Sequence, residues 1–229
     1  MIRDGRVSPW RSFTPVGVGA GPRLPTEGLP LEPSGRDAID GAARLRGMDE
    51  PSPHLRLAVA EDAPGIDALM KASIEAIFPS FYDAQQTASS RIHIGDVDPM
   101  LIDDGTYFVL EADDLIVACG GWSRRDKLFT GSSDQEGRAR LLDPASEPAR
   151  VRAMFVHGDW TRRGLGTRIL EACESAARHE GFRTLALMAT LPGIPLYERF
   201  GFRVLARRPI TLPDGVELPC AEMEKRLSD

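Results

Sequence analysis

The sequence predicts a mixed α/β fold in the order βααβββαβαββ, an α+β mixed sheet with helices on both faces, and three observations carry that reading. Short apolar or alternating runs, LRLAVA, TYFVLEA, LIVACGGW, VRAMFV and LALMA, read as strands. From Leu165 the apolar residues fall at 165, 169, 170, 173, 176 and 177, one face of a helix, with Arg168, Glu171, Glu174 and Arg178 on the other. Between strands and helices stand acidic, Pro and Gly signals of the kind that start and stop such elements.

In chain order, Leu55 to Ala60 alternates as a strand, and Glu61-Asp62 with Pro64 opens a helix through Ile66, Leu69, Met70 and Ile74. A second helix covers Ala84 to Ile94. Thr106–Ala112 and Leu115–Trp122 are strands joined at Asp113-Asp114 as a hairpin. A polar stretch from Ser123 to Glu147 reads as a long loop, and Val151–Val156 is the next strand. The amphipathic helix stops at Gly181, with Phe182 as its apolar follower. Leu185–Ala189 is a strand, Pro195–Phe200 a short helix and Phe202–Leu212 a strand; Pro213-Asp214-Gly215 then turns into the last strand, ending near Leu227.

The 229 residues carry a net charge of −6 from 28 basic and 34 acidic side chains, without blocks of like charge. That balance argues against nucleic acid as a partner, and no apolar run reaches the ~18 residues of a membrane span. Three cysteines without CxxC spacing read as buried thiols in a reducing compartment, consistent with the cytoplasm, and four scattered histidines give no metal site. Residues 1–47 hold 6 prolines and 8 glycines, and their seven basic and five acidic residues leave −8 for the remainder. This segment is expected to be a disordered extension, or to precede a true start at Met48, with the functional domain at 54–229. A domain at −8 mildly favours a cationic small molecule as partner.

The segment DWTRRGLGTRILEAC (Asp159 to Cys173) leaves a strand and enters the amphipathic helix. A turn of that kind presents unpaired backbone N–H groups at the positive end of a helix dipole. Gly164 and Gly166 allow close backbone approach, and Arg162 and Arg163 add permanent cations, so the expected ligand is a phosphate or pyrophosphate. A Walker loop is excluded by the missing Gly-Lys-Ser/Thr, and a dinucleotide fingerprint by Ile169 where a third glycine belongs.

VRAMFVHGDWTRRGLGTRIL, followed about thirty residues on by PLYERFGF, resembles the GNAT (GCN5-related) N-acetyltransferase superfamily over roughly Leu55 to Leu227. The resemblance implies the acyl-CoA N-acyltransferase fold and acetyl-CoA as cosubstrate, with no metal. It implies that the main chain of Met154, Phe155 and Val156 lines the pantetheine arm of the cofactor. Arg162, Arg163, Gly164, Leu165, Gly166 and Thr167 are then to hold the pyrophosphate, and Tyr197 to act as general acid toward the departing thiolate. The acceptor implied is a primary amine, expected to be a small molecule, acetylated by direct attack in a ternary complex; a homodimer is left open. A catalytically inactive acyl-CoA-binding sensor is the alternative from another class, with Tyr197 the discriminating residue.

The family pattern is departed from at Thr161, where Gln or Arg usually stands, at Gly158, where proline is common, and at Arg150, where many members have glutamate. TLPGIP (Thr190 to Pro195) also lacks the usual asparagine. The general base is therefore unassigned, with Glu111 and Glu147 as weak candidates. His157 reads as solvated and Trp122 as core rather than pocket wall. Arg150 and Arg152 share a strand face and, if that face is open, could hold a carboxylate.

Overall fold

The structure, a computed structural model, describes residues 52–127 and 140–227. The expectations for residues 1–47 and for the middle of the polar loop lie outside the described residues. The elements are β1 (His54–Leu57), α1 (Ala63–Ile77), α2 (Ala84–His93), α3 (Pro99–Asp103), β2 (Tyr107–Ala112), β3 (Leu115–Ser123), β4 (Ala149–Val156), α4 (Leu165–His179), β5 (Thr184–Thr190), α5 (Ile194–Arg199), β6 (Arg203–Thr211) and β7 (Glu217–Arg226). The sequence reading did not include α3, a five-residue turn of helix whose start is marked by Asp98, which accepts from Met100 N, and by Pro99.

The seven strands form one mixed sheet in the order β1-β2-β3-β4-β5-β7-β6, with β4 and β5 the parallel pair. Alternation along β2 and β3 divides the core. Val109 and Cys119 point to the side of Ile66, Leu69 and Met70 on α1. Leu110 and Ala118 point to the side of Ile169, Leu170 and Cys173 on α4. The two helices therefore cover opposite faces of the sheet. A third cluster, Ile74, Phe78, Tyr82, Ile94, Ile210, Leu212, Leu218 and Cys220, joins the end of α1 to the β6–β7 end of the sheet. Among the described residues no helix is long and apolar enough to cross a membrane.

The punctuation residues behave as their chemistry requires. Asp113 and Asp114 both take positive φ (49° and 62°), the geometry of a two-residue turn between β2 and β3. Gly181, at φ 90°, closes α4, and Phe182 N returns to Ala177 O at 3.1 Å while its ring sinks into the core.

Gly121 is required by close approach. A Cβ there would fall 2.6 Å from Thr106 O and 3.0 Å from Tyr107 Cα, backbone atoms that a rotamer change cannot move. Gly121→Ala is expected to destabilise the domain by about 2 kcal/mol, the range of overpacked cores. At ~2 to 4 °C per kcal/mol for this size, Tm should fall by about 5 °C in a thermal melt. An unchanged melt would show that β2 and β3 separate at no cost.

Candidate active site

The pairing of β4 with β5 is confined to Ala149↔Leu185 and Arg150↔Ala186. Beyond it the two strands part. The cause lies in β4, where the register against β3 slips between Cys119 and Gly121 and Ala153 takes φ 52°. This is a β-bulge, which bends its strand and leaves ladder groups unpaired. Two neighbours fit it: Tyr107, fully buried, donates its hydroxyl to Ala153 O at 2.7 Å. Gly120 lies so close to Met154 that a Cβ would sit 2.2 Å from its sulfur.

Between the parted strands lies a cavity of about 800 Å³. One wall is β4, including Met154, Phe155 and Val156, and the facing wall carries Leu187, Met188 and Thr190 of β5. At one end stands the loop that the sequence singled out. A single 3₁₀ turn over Gly158–Trp160 leads into it, and Thr161 Oγ1 donates to Gly158 O at 3.0 Å. Arg162 and Gly164 then take φ 64° and 79°, and Gly164 is the N-cap of α4 without any side-chain cap bond. The first amides of a 15-residue helix thus begin at the cavity, with Arg162, Gly164, Leu165, Gly166 and Thr167 among its lining. Arg163 turns aside, its guanidinium 4.7 Å above the Trp160 ring, and does not line the cavity.

Tyr197 reaches the same cavity from α5. Gly166 permits this, since a Cβ there would meet Leu196 Cδ2 at 2.8 Å, so α5 packs directly on the first turn of α4. The Tyr197 ring lies edge-on to Phe202 at 5.8 Å, and burial pushes its phenol above the usual tyrosine range, with the Cys173 thiol adding to the effect. It stays protonated through neutral pH.

The two carboxylates named as weak base candidates are not brought to the cavity. Glu111 on β2 accepts from Arg56 Nε and Nη2 at 2.9 and 2.6 Å. Glu147 is gripped by both Nη atoms of Arg140, at 2.6 and 2.7 Å, and by Asp143 N. These bonds, led by Arg140, hold its carboxyl down at about 2. The Arg150–Arg152 face is closed by aspartates: Arg150 pairs with Asp126 and the buried Arg152 with Asp98, each at 3.0 Å. Burial alone would raise the Asp98 carboxyl, but Lys127 and Arg152 outweigh it and hold it below the ordinary range. Trp122 is core, edge-on to Phe182 at 5.8 Å. His157 is part-exposed, its Nδ1 accepting from Asp159 N.

Other lining residues were not legible as site residues. Trp160 lines the cavity beside the loop, and the end of α1 (Ser73, Ala76, Ile77), the turn at Phe78–Ser80 with Phe81, and Ile94 form its helical end. Their signal in the sequence, ordinary apolar periodicity, is the same as that of a core. Tyr82 secures this end: its hydroxyl donates to Pro219 O at 2.9 Å and accepts from Leu191 N at 2.8 Å, tying the strand ends of β5 and β7 to the helical layer.

All three cysteines are buried and free. Burial pushes the Cys119 and Cys220 thiols up to about 12, which leaves almost no thiolate at pH 8. An aromatic disulfide reagent at pH 8 is expected to leave the native protein unreacted for minutes and to titrate three thiols in denaturant. Rapid release of one equivalent would mean that Cys220, which lines the cavity, is open to attack.

A bulged β4 parting from β5, with an uncapped helix N-terminus at the mouth, defines an acyl-CoA N-acyltransferase fold. Residues 103–204 match the family model of the acetyltransferase (GNAT) domain. Among solved structures, the chain is similar in fold to a GCN5-related N-acetyltransferase from Rhodopseudomonas palustris (TM-score 0.58, 20% identity, covering 79% of this chain and 99% of that one). It is also similar to the PaiA N-acetyltransferase of Thermoplasma acidophilum in complex with coenzyme A (0.54, 13%, 77% and 99%). A third is yncA of Salmonella typhimurium with its cofactor acetyl-CoA (0.51, 17%, 77% and 95%). Among the described residues no group of three or more His, Cys, Asp or Glu could hold a metal ion.

Proposed function

We propose that this protein transfers the acetyl group of acetyl-CoA to a primary amine of a small molecule, by direct attack in a ternary complex. The observation that carries the reading is that one cavity is shared by the bulged strand, the glycine-opened start of α4 and the buried Tyr197. The coenzyme A and acetyl-CoA complexes of similarly folded proteins support the choice of cosubstrate.

The amides of Leu165, Gly166 and Thr167 hold the pyrophosphate at the positive end of α4, with Arg162 and Arg163 adding charge at the exposed loop. The exposed edge of β4 at Met154–Val156 takes the pantetheine amides and offers an N–H to the carbonyl oxygen as charge develops there. A donor fixed in a strand needs no reorganisation at that moment. Tyr197 returns a proton to sulfur. The three buried, reduced cysteines suit a cytoplasmic setting.

The test is calorimetric titration with acetyl-CoA, followed by thiol release in the presence of amines. Saturable binding with amine-dependent thiol release is expected. Failure to bind acetyl-CoA at millimolar concentration would sink the assignment, and binding without release for any amine would leave the sensor.

A further inference from the structure

The cavity has two chemically distinct ends. The loop end lies with α4, on one face of the sheet. The far end is built by the end of α1, the turn after it, α2, β6 and β7, and it is the cavity side of the third core cluster. If the pyrophosphate sits at the α4 amides, the thioester reaches between the strands and the acceptor must approach from this far end.

That end is apolar. Ile77, Phe78, Phe81, Ile94, Ile210 and Cys220 make its wall, and Ser73 and Ser80 are its neutral polar groups. The charged residues among the described lining of the whole cavity are Arg152, Arg162 and Arg199, all of one sign. Among the described residues lining it there is no aspartate, glutamate or histidine. The net charge of the chain pointed weakly to a cationic acceptor, but local charge decides what enters a narrow cavity. A wall of this kind offers an alkylammonium neither a counter-ion nor a group to take its proton.

We infer that the acceptor is an apolar primary amine of low basicity, an α-amino or similarly weak amine beside a hydrophobic group, which enters already neutral. The inference rests on the acetyltransferase reading. In the step, the amine nitrogen bonds to the carbonyl carbon and the C–S bond breaks. The nitrogen's surplus proton leaves to water, and the thiolate takes a proton that Tyr197 regains from solvent.

α-Amino groups titrate near ~7.7 to 8.0 and lysine-like amines near ~10.4, so at pH 7.5 the neutral fractions differ by ~100-fold or more. The stronger base is the better nucleophile and takes part of that back, leaving an expected preference of ~10-fold or more in kcat/KM.

The experiment compares phenylalaninamide, phenethylamine and spermidine as acceptors with the full chain and saturating acetyl-CoA. Phenylalaninamide is expected to lead at pH 7.5, and spermidine to trail. For phenethylamine, log kcat/KM should climb with unit slope from pH 7 to 9, the signature of a substrate that must lose its own proton. Phe81→Ala, at the exposed rim of this wall, should raise KM for both aromatic amines several-fold while leaving the acetyl-CoA Kd within about twofold. Spermidine as the best acceptor, or a pH profile already flat at 7 for phenethylamine, overturns the inference while the transferase assignment stands. Acetyl-CoA binding with no turnover of any of the three overturns this inference, the transferase reading then resting on the wider amine screen, and absent acetyl-CoA binding removes the transferase reading itself.

Discussion

Gly164→Val is expected to weaken acetyl-CoA binding by about 10- to 100-fold while leaving the melting temperature nearly unchanged. The argument is conformational. A Cβ built on Gly164 meets nothing within 4 Å, so the variant does not fail by collision within the protein. Its difficulty is φ 79°, a left-handed backbone that a β-branched residue adopts only under strain of ~1 to 3 kcal/mol. Gly164 is exposed, so the free protein can relieve that strain by letting the loop leave its left-handed turn. Doing so carries the first amides of α4 off the cavity. Binding must then restore the turn, and the strain reappears as lost affinity, with 1.4 kcal/mol for each factor of ten. Arg162→Ala should cost only a few-fold, because an exposed guanidinium loses a solvent-screened contact. Calorimetric titration of both variants checks the order. Wild-type affinity in folded Gly164→Val would show that the α4 amides do not hold the cofactor.

The same residue illustrates what the sequence makes legible. Gly164, Gly181 and the Asp113-Asp114 pair can be read in advance because each stands where the backbone needs positive φ, a local requirement visible in residue type. Strand and helix order was legible for a similar reason, since periods of 2 and 3.6 are written in neighbouring residues. The bulge was not. It arises from Tyr107, Gly120 and Ala153, each of which looks like part of an ordinary apolar strand, and only β2, β3 and β4 together produce it. The acceptor end was illegible on the same ground. Phe78, Ile94, Ile210 and Cys220 are indistinguishable from core in sequence, and they become a wall only because β4 and β5 part in front of them. Glu111 and Glu147 are weak candidates for the base because they lie near strand ends that could face the acceptor, although surface carboxylates are common. What the sequence does not show is that Arg56, 55 residues from Glu111, and Arg140, only 7 from Glu147, fold onto them and hold them elsewhere.

Tyr197→Phe is expected to lower kcat by ~10-fold or more with a working amine, toward the ~10² to 10⁴-fold range of general acids, while acetyl-CoA affinity persists. The substitution keeps the ring, and with it the edge-on contact to Phe202 and the packing of α5 on α4. Only the hydroxyl is lost. Because burial lifts the phenol above its ordinary range, Tyr197 should remain a proton donor across the usable alkaline range. The wild-type kcat should accordingly show no fall between pH 7 and 9 from loss of this proton. Stability must be measured beside rate, since a buried hydroxyl deprived of a partner can change it by ~1 kcal/mol. A residue that serves only as core would give the opposite pattern, a lower Tm with turnover intact. Equal kcat in the two proteins, with chemistry shown to limit the rate, would remove Tyr197 from the proton path and leave water to protonate the thiolate.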